Sequence, residues 1–169
     1  MRILYLECAM GASGDMLMSA LAGLLPAPSL FVDKLNSLSL PGVSVRLKPC
    51  TLKGISGLHA DVRINGDTEE TVHNKLEHSH KHGHGHERSH EHEHEHVHEH
   101  QVSEDLGNIN NLINSLDISQ RVKNEAIEIY RIIAKAEAKV HGTDVQNVHF
   151  HEVGALDAVC DVVGVCMLI

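Results

Sequence analysis

The sequence predicts an α/β fold of the α+β type: a small sheet of one strand plus a hairpin, N-terminal helices, a disordered His-rich insertion and a final helical segment. Three observations predict it: a short strand-forming run at the start, two alternating segments around a glycine-containing turn, and helical periodicity in the last third. The chain has 169 residues, of which 42% are hydrophobic and 2% aromatic. Such a chain is long enough to bury a core, and that core must be mainly aliphatic.

The N-terminal elements are a strand, a turn and a helix. Residues 2–6 form an apolar run of strand-forming residues and lead into a glycine-containing turn at 10–14. A helix is predicted over 15–25, because Asp15 suits a helix start both as a cap and through the helix dipole. Pro26 then ends the segment.

A second helix and a hairpin follow. Residues 30–38 are expected to form a short helix, and residues 43–52 and 58–65 each show partial apolar alternation. The segment from Gly54 to Gly57 lies between the two alternating runs, which predicts a β-hairpin.

The composition changes abruptly in the middle of the chain. Positions 78–100 hold 11 His in 23 residues, and Val97 is their one aliphatic residue. Such a segment cannot bury enough apolar surface to offset the entropy of ordering it. We therefore expect three regions: an N-terminal α/β part at 1–66, a disordered metal-binding insertion at 67–102, and a helical part of the same domain at 103–169.

The helical part is predicted to contain a helix from Ser103 to about Asn114, a longer one over 119–141, and a final apolar helix that runs to Ile169. Gly142 stands where a C-terminal capping glycine belongs. The last helix carries no stop signal, which is typical of one piece of a longer polypeptide, apparently truncated here. The apolar stripe of the long helix is predicted to be Val122, Ala126, Ile129, Ile133, Ala136 and Val140.

Charge and cysteine content exclude several function classes. The chain has 14 Lys and Arg against 23 Asp and Glu, a formal net charge of −9. This balance argues against a nucleic-acid binder and against an anionic membrane surface. Four Cys without a CxxC pair favour a reducing, cytoplasmic location. No apolar run is long enough for a membrane-spanning helix.

The histidine tract predicts metal binding. Imidazole is a ligand for nickel, zinc, copper and cobalt, and a chain with many His supplies several ligands without a preformed site. Two basic and five acidic side chains give positions 78–100 a local charge of −3, which attracts cations. The expected metal ligands in the tract are His78, His80, His82, His84, His86, His90, His92, His94, His96, His98 and His100.

A second cluster precedes and enters the final helix. His149 and His151 are two residues apart and share a face in an extended connector, whereas Asp157 and Asp161 are four apart and share a helix face. With Glu152, they could converge on a borderline divalent ion, for which nitrogen and oxygen donors are suitable ligands. The carboxylates could instead act as a general base or anchor a substrate, and the simplest alternative is a helix with solvated aspartates.

The glycine turn is the third segment. Gly11, Ser13 and Gly14 precede a helix whose free amides could bind a phosphate or carboxylate, so we take them as candidate cofactor-binding residues. The turn matches neither the P-loop nor the dinucleotide-binding pattern. A tight strand-to-helix turn explains it equally well.

These motifs resemble the LarC family, the nickel insertion proteins of nickel-pincer cofactor biosynthesis. The matching segments read YLECAMGASGDM over 5–16 and VHFHEVGALDAVCDVVG over 148–164, with the His tract between them. The resemblance implies insertion of Ni(II) into pyridinium-3,5-bisthiocarboxylic acid mononucleotide by a CTP-dependent nickel chelatase of the lyase class. Within these motifs we expect His149 and His151 to bind the metal and Glu152, Asp157, Asp161 and Asp15 to be catalytic, with Glu152 as the base.

The resemblance also implies partners. Family members are typically longer, and a C-terminal part carries CTP binding, so we expect CTP to act only with that part. The expected partners are the pyridinium mononucleotide substrate, the C-terminal half of the same protein and further copies in an oligomer.

Two other hypotheses stay open. The chain could be a non-catalytic store or metallochaperone for nickel or zinc that acts through the tract alone. It could also be a phosphate-binding module that uses the glycine turn.

Overall fold

The structure is a computed structural model that describes residues 3–9, 11–68, 105–150 and 155–169. Within these ranges the chain combines helices with a small antiparallel sheet, which confirms the predicted α+β class. The helices are α1 (Gly14–Ala22), α2 (Pro28–Ser37), α3 (Leu106–Ser115), α4 (Gln120–His141) and α5 (Leu156–Leu168), with a 3₁₀ turn at Val145–Asn147. The strands are β1 (Val43–Leu52), β2 (Ile55–Ile64) and β3 (Asp67–Thr68), in the order β1-β2-β3.

The predicted N-terminal strand is not formed in the described structure. Residues 3–6 are in no strand, and their apolar side chains are exposed. A strand needs a neighbour to satisfy its backbone groups, and no described strand lies beside this segment.

The hairpin is confirmed, but its turn lies earlier than predicted. Lys53 and Gly54 both have positive φ, 49° and 81°, which is the requirement of a two-residue type I′ turn. The second strand therefore begins at Ile55 rather than at residue 58. Val45 and Ala60 are buried on the inner face of the hairpin.

The long helix α4 is confirmed, but its buried face differs from the predicted stripe. The exposed fraction of Val140 is 79%, and Ala136 is also exposed. Steps of four residues follow a ridge inclined to the helix axis, so the contact surface winds around α4 instead of running straight along it. The buried residues are Val122, Ala126, Tyr130, Ala134 and Ala138.

The helix ends follow the expected capping chemistry. Gly142 takes the left-handed conformation (φ 64°) after α4, as predicted. Ser119 accepts a hydrogen bond from the amide of Val122 at the start of α4, and Asp105 accepts one from the amide of Asn108 at the start of α3. The side chain of Asp105 thus sets the start of α3 at Leu106.

Helices α1 and α5 pack side by side and run in the same direction. Gly14 contacts Asp161, and one turn later Met18 contacts Gly164. After α1, Leu25 lines the same groove as Leu168 at the end of α5. Residues from both sides of the insertion, among them Met18 and Val163, belong to one hydrophobic cluster.

None of the helices in the described parts combines the length and apolarity that crossing a membrane requires.

Candidate functional site

The two sequence motifs meet where α1 begins. A Cβ atom built on Gly14 would lie 2.5 Å from Cβ and 2.6 Å from Oδ2 of Asp161. Only a glycine therefore leaves room for the Asp161 carboxylate at the first turn of α1. A carboxylate is favourable at this end of a helix, because the unpaired amides carry a partial positive charge. A phosphate bound at this end of α1 would therefore lie beside the Asp161 carboxylate.

Asp157 lies one turn before Asp161 on α5. Four residues of helix correspond to about 6 Å along the α5 axis, so Asp157 is displaced by that distance from the level of Asp161 and Gly14. Its Oδ1 atom is buried and has no hydrogen-bond partner among the described residues. A buried carboxylate oxygen needs a donor or a cation, so this atom is suited to binding a ligand.

Tyr130 is a site residue that the sequence reasoning missed. It is fully buried on α4, and its ring contacts Phe150 edge-to-face with 5.9 Å between the ring centroids. Burial raises the pKa of Tyr130, and the negative charges of Asp157 and Asp161 raise it further. The phenol therefore lies within electrostatic range of both aspartates. The four-residue spacing from Ala126 to Tyr130 to Ala134 is the signal that could have identified it.

His149 lies on a short extended connector before α5. It forms an isolated antiparallel bridge with Asp105, and its side chain is exposed between buried Val148 and buried Phe150. This alternation is the one expected of an extended segment. His151 and Glu152 lie outside the described residues, as does the whole His tract of positions 78–100.

The glycine turn is held by its own hydrogen bonds. The Gly11 amide donates to the carbonyl of Cys8 at 2.9 Å, and Gly11 has a φ of 83° that favours glycine. The Ser13 hydroxyl donates to the Asp15 carboxylate and does not cap α1. The Ser19 hydroxyl donates to the Asp15 carbonyl at 2.7 Å and accepts from the Ala60 amide, which fixes α1 to β2.

Comparison with known proteins identifies the family of this chain. The family described as nickel insertion protein matches residues 4–169. The chain belongs to the nickel insertion protein family. Two motifs that resembled this family in sequence are thus found in contact at the junction of α1 and α5.

Relatives in the nickel insertion family are much longer than this chain. Pyridinium-3,5-bisthiocarboxylic acid mononucleotide nickel insertion proteins from Clostridium acetobutylicum and Geobacillus kaustophilus are 44% and 37% identical over 176 and 165 residues. These matches cover 100% and 96% of this chain but 40% and 34% of the relatives. A protein of the same name from Clostridium kluyveri is 35% identical over 170 residues, 100% of this chain and 37% of its own length. No solved structure matches.

The described residues of this nickel insertion family member do not complete a metal site by themselves. No three His, Cys, Asp or Glu side chains among them come together to hold a metal ion. A metal site at Asp157 would need ligands from outside the described ranges, where His151, Glu152 and the tract lie. The metal roles of these residues stay predictions.

The four cysteines are unpaired with one another, and they divide into a buried pair and an exposed pair. Cys160 and Cys166 are buried, and Cys8 and Cys50 are exposed. Burial, followed by the charges of Asp161 and Asp157, raises the pKa of Cys160 to about 12. Its thiol therefore stays protonated at neutral pH in the metal-free chain.

Proposed function

We propose that this chain carries the metal-handling part of a protein that inserts nickel into pyridinium-3,5-bisthiocarboxylic acid mononucleotide. The observation that supports this most directly is the contact of Gly14 with Asp161, which brings together the two motifs shared with the family. The curated relatives that the chain matches carry this activity in their names.

Nickel is the cargo in this proposal. The His tract concentrates Ni(II), and His149, His151 and Asp157 receive it beside α1. The thiocarboxylate sulfurs of the substrate then displace these nitrogen and oxygen ligands, because thiolate-like donors bind such metals more strongly.

Formation of a nickel–carbon bond requires the loss of a proton from the pyridinium ring. The carbon keeps the electron pair of its C–H bond and donates it to nickel, while the proton passes to a carboxylate. We assign this base to Glu152. Asp157, Asp161 and Asp15 place negative charge around the metal, and Gly11, Ser13 and Gly14 shape the turn beside the substrate.

The remaining activity belongs to the portion of the relatives that this chain does not span. We assign CTP binding and completion of a lyase-class nickel chelatase to that portion, acting with this chain in a cytoplasmic oligomer. This chain therefore needs that portion for cofactor formation.

The decisive experiment measures cofactor formation in a reconstituted full-length or two-piece system. His151→Ala and Asp157→Ala should each lower the rate about 100-fold or more, because they remove proposed metal ligands. Asp144→Ala is the matched control, since Asp144 is exposed and its side chain caps no helix. Full activity in both ligand variants would refute the proposal.

Storage or chaperoning of nickel or zinc is the second candidate function, and the composition of the tract favours it. Deletion of positions 78–100 separates the two. If nickel insertion is the function, deletion lowers the bound nickel but leaves cofactor formation intact when nickel is abundant. If the chain is only a metallochaperone, deletion removes both the bound nickel and cofactor formation.

A further inference from the structure

The segment ahead of the glycine turn has the side-chain pattern of a strand without a neighbour. The exposed fractions of Ile3, Leu4, Tyr5 and Leu6 are 77%, 48%, 79% and 47%. This alternation with a period of two is typical of an extended chain that turns one side toward the protein. The Tyr5 hydroxyl donates to the Glu7 carboxylate at 3.0 Å, which places these two side chains on the same side.

The main chain of this segment is also unpaired within the part of the chain that the structure describes. Residues 3–6 form no backbone hydrogen bond with any other part of the described chain, and β1, β2 and β3 pair only with one another. Four consecutive large apolar side chains next to unpaired amides and carbonyls form an edge on which another strand can add. Contiguous exposed apolar residues of this kind mark an interaction surface.

The position of this segment connects it to the candidate site. It leads within a few residues to the turn at Gly11 and to Gly14, which contacts Asp161. A strand paired with residues 3–6 would therefore also hold the glycine turn in its position relative to α5.

We propose that residues 3–6 pair with a β-strand from the part of nickel insertion proteins that this chain does not span. The relatives are the argument for this occupant: the chain covers 34% to 40% of their length, so most of the family protein lies outside it. Strand addition supplies both the missing backbone hydrogen bonds and an apolar cover. This inference concerns assembly and does not depend on the proposed chemistry.

The test uses a full-length chimera in which this chain replaces the matched region of the Clostridium acetobutylicum relative. Amide hydrogen exchange of residues 3–6 is compared between the chimera and the isolated 169-residue chain. Exchange should be at least about tenfold slower in the chimera, because strand pairing protects amides. Leu4→Lys should abolish that protection, and the milder Tyr5→Thr should reduce it in a chimera that still folds.

Leu52→Lys at the hairpin tip is the control, because Leu52 is also an exposed leucine, with an exposed fraction of 74%, and lies outside residues 3–6. It should leave the protection of residues 3–6 unchanged. Equal exchange in the chimera and the isolated chain would overturn the proposal. Protection that is already present in the isolated chain and disappears on dilution would also overturn it, because the partner would then be a second copy of this chain.

Discussion

At the scale of single residues, the candidate site depends on the contact between Gly14 and Asp161. The spacing of Asp157 and Asp161 predicts a shared face on a final helix, and both residues lie on α5. The sequence could not predict that Gly14 contacts Asp161, because this contact depends on the packing of two helices that are far apart in the chain.

The first prediction concerns the contact between Gly14 and Asp161. Gly14→Ala should lower the free energy of unfolding by about 1–3 kcal/mol, because the new methyl group overlaps the Asp161 side chain. Urea unfolding followed by circular dichroism measures this. Gly23→Ala is the control, since a Cβ there would meet its nearest atoms at 3.4 Å and should change stability by less than about 0.5 kcal/mol.

The second prediction is a pH dependence at Asp61. The hydrogen bond from Lys48 does most to lower the pKa of Asp61 below its ordinary value of 3.8; Arg63 lowers it further, and burial opposes both. Because the folded-state pKa is lowered, the stabilisation is present above pH 3.8 and is lost as the pH falls through the folded value. The stability difference between wild type and Asp61→Asn should therefore shrink as the pH falls below 4.

Asp33→Asn is the control for this pH series, since Asp33 is exposed and has no ion pair within the described structure. A difference at Asp61 that stayed constant down to about pH 2 would contradict the assigned ion pair.

At the scale of elements, local sequence signals predicted where helices and turns form. Which face of a helix is buried depended instead on the elements packed against it. Gly142 ends α4 as its position predicts, because a left-handed residue after a helix is a local requirement. The predicted stripe of α4 was wrong at Ala136 and Val140, which are both exposed. Residues 3–6 have strand-forming side chains but no described partner strand.

The third prediction tests the cap of α4. Gly142→Ala should destabilise the protein by about 1 kcal/mol, because alanine is strained at a φ of 64°. Gly142→Asn should cost less, since asparagine tolerates this conformation. Thermal unfolding measures both variants, and equal losses would argue against the left-handed cap.

At the scale of the whole molecule, the core joins residues from both sides of the His-rich insertion. Phe31 and Ile113 belong to the same buried cluster, although the insertion separates them in sequence. Composition was sufficient to predict a mainly aliphatic core, and the buried cluster of the described residues is mainly aliphatic. It could not predict that α1 and α5 would be parallel neighbours.

The fourth prediction follows from that organisation. Replacing residues 69–104 with a Gly/Ser linker of about nine residues should stabilise the fold by about 1 kcal/mol, because a shorter loop costs less entropy to close. The same variant should bind fewer nickel ions per chain. Loss of cooperative unfolding would show that the insertion takes part in the core.

The central claim is that the glycine turn and the aspartate helix form one nickel-handling site. A double-mutant cycle on the rate of cofactor formation in the reconstituted system tests this claim most directly. Gly14→Ala and Asp161→Asn should each lower the rate strongly, and the double variant should be little slower than either one, because both changes remove the same carboxylate from its place. Rate losses that multiply in the double variant, or single variants with wild-type rates, would contradict it.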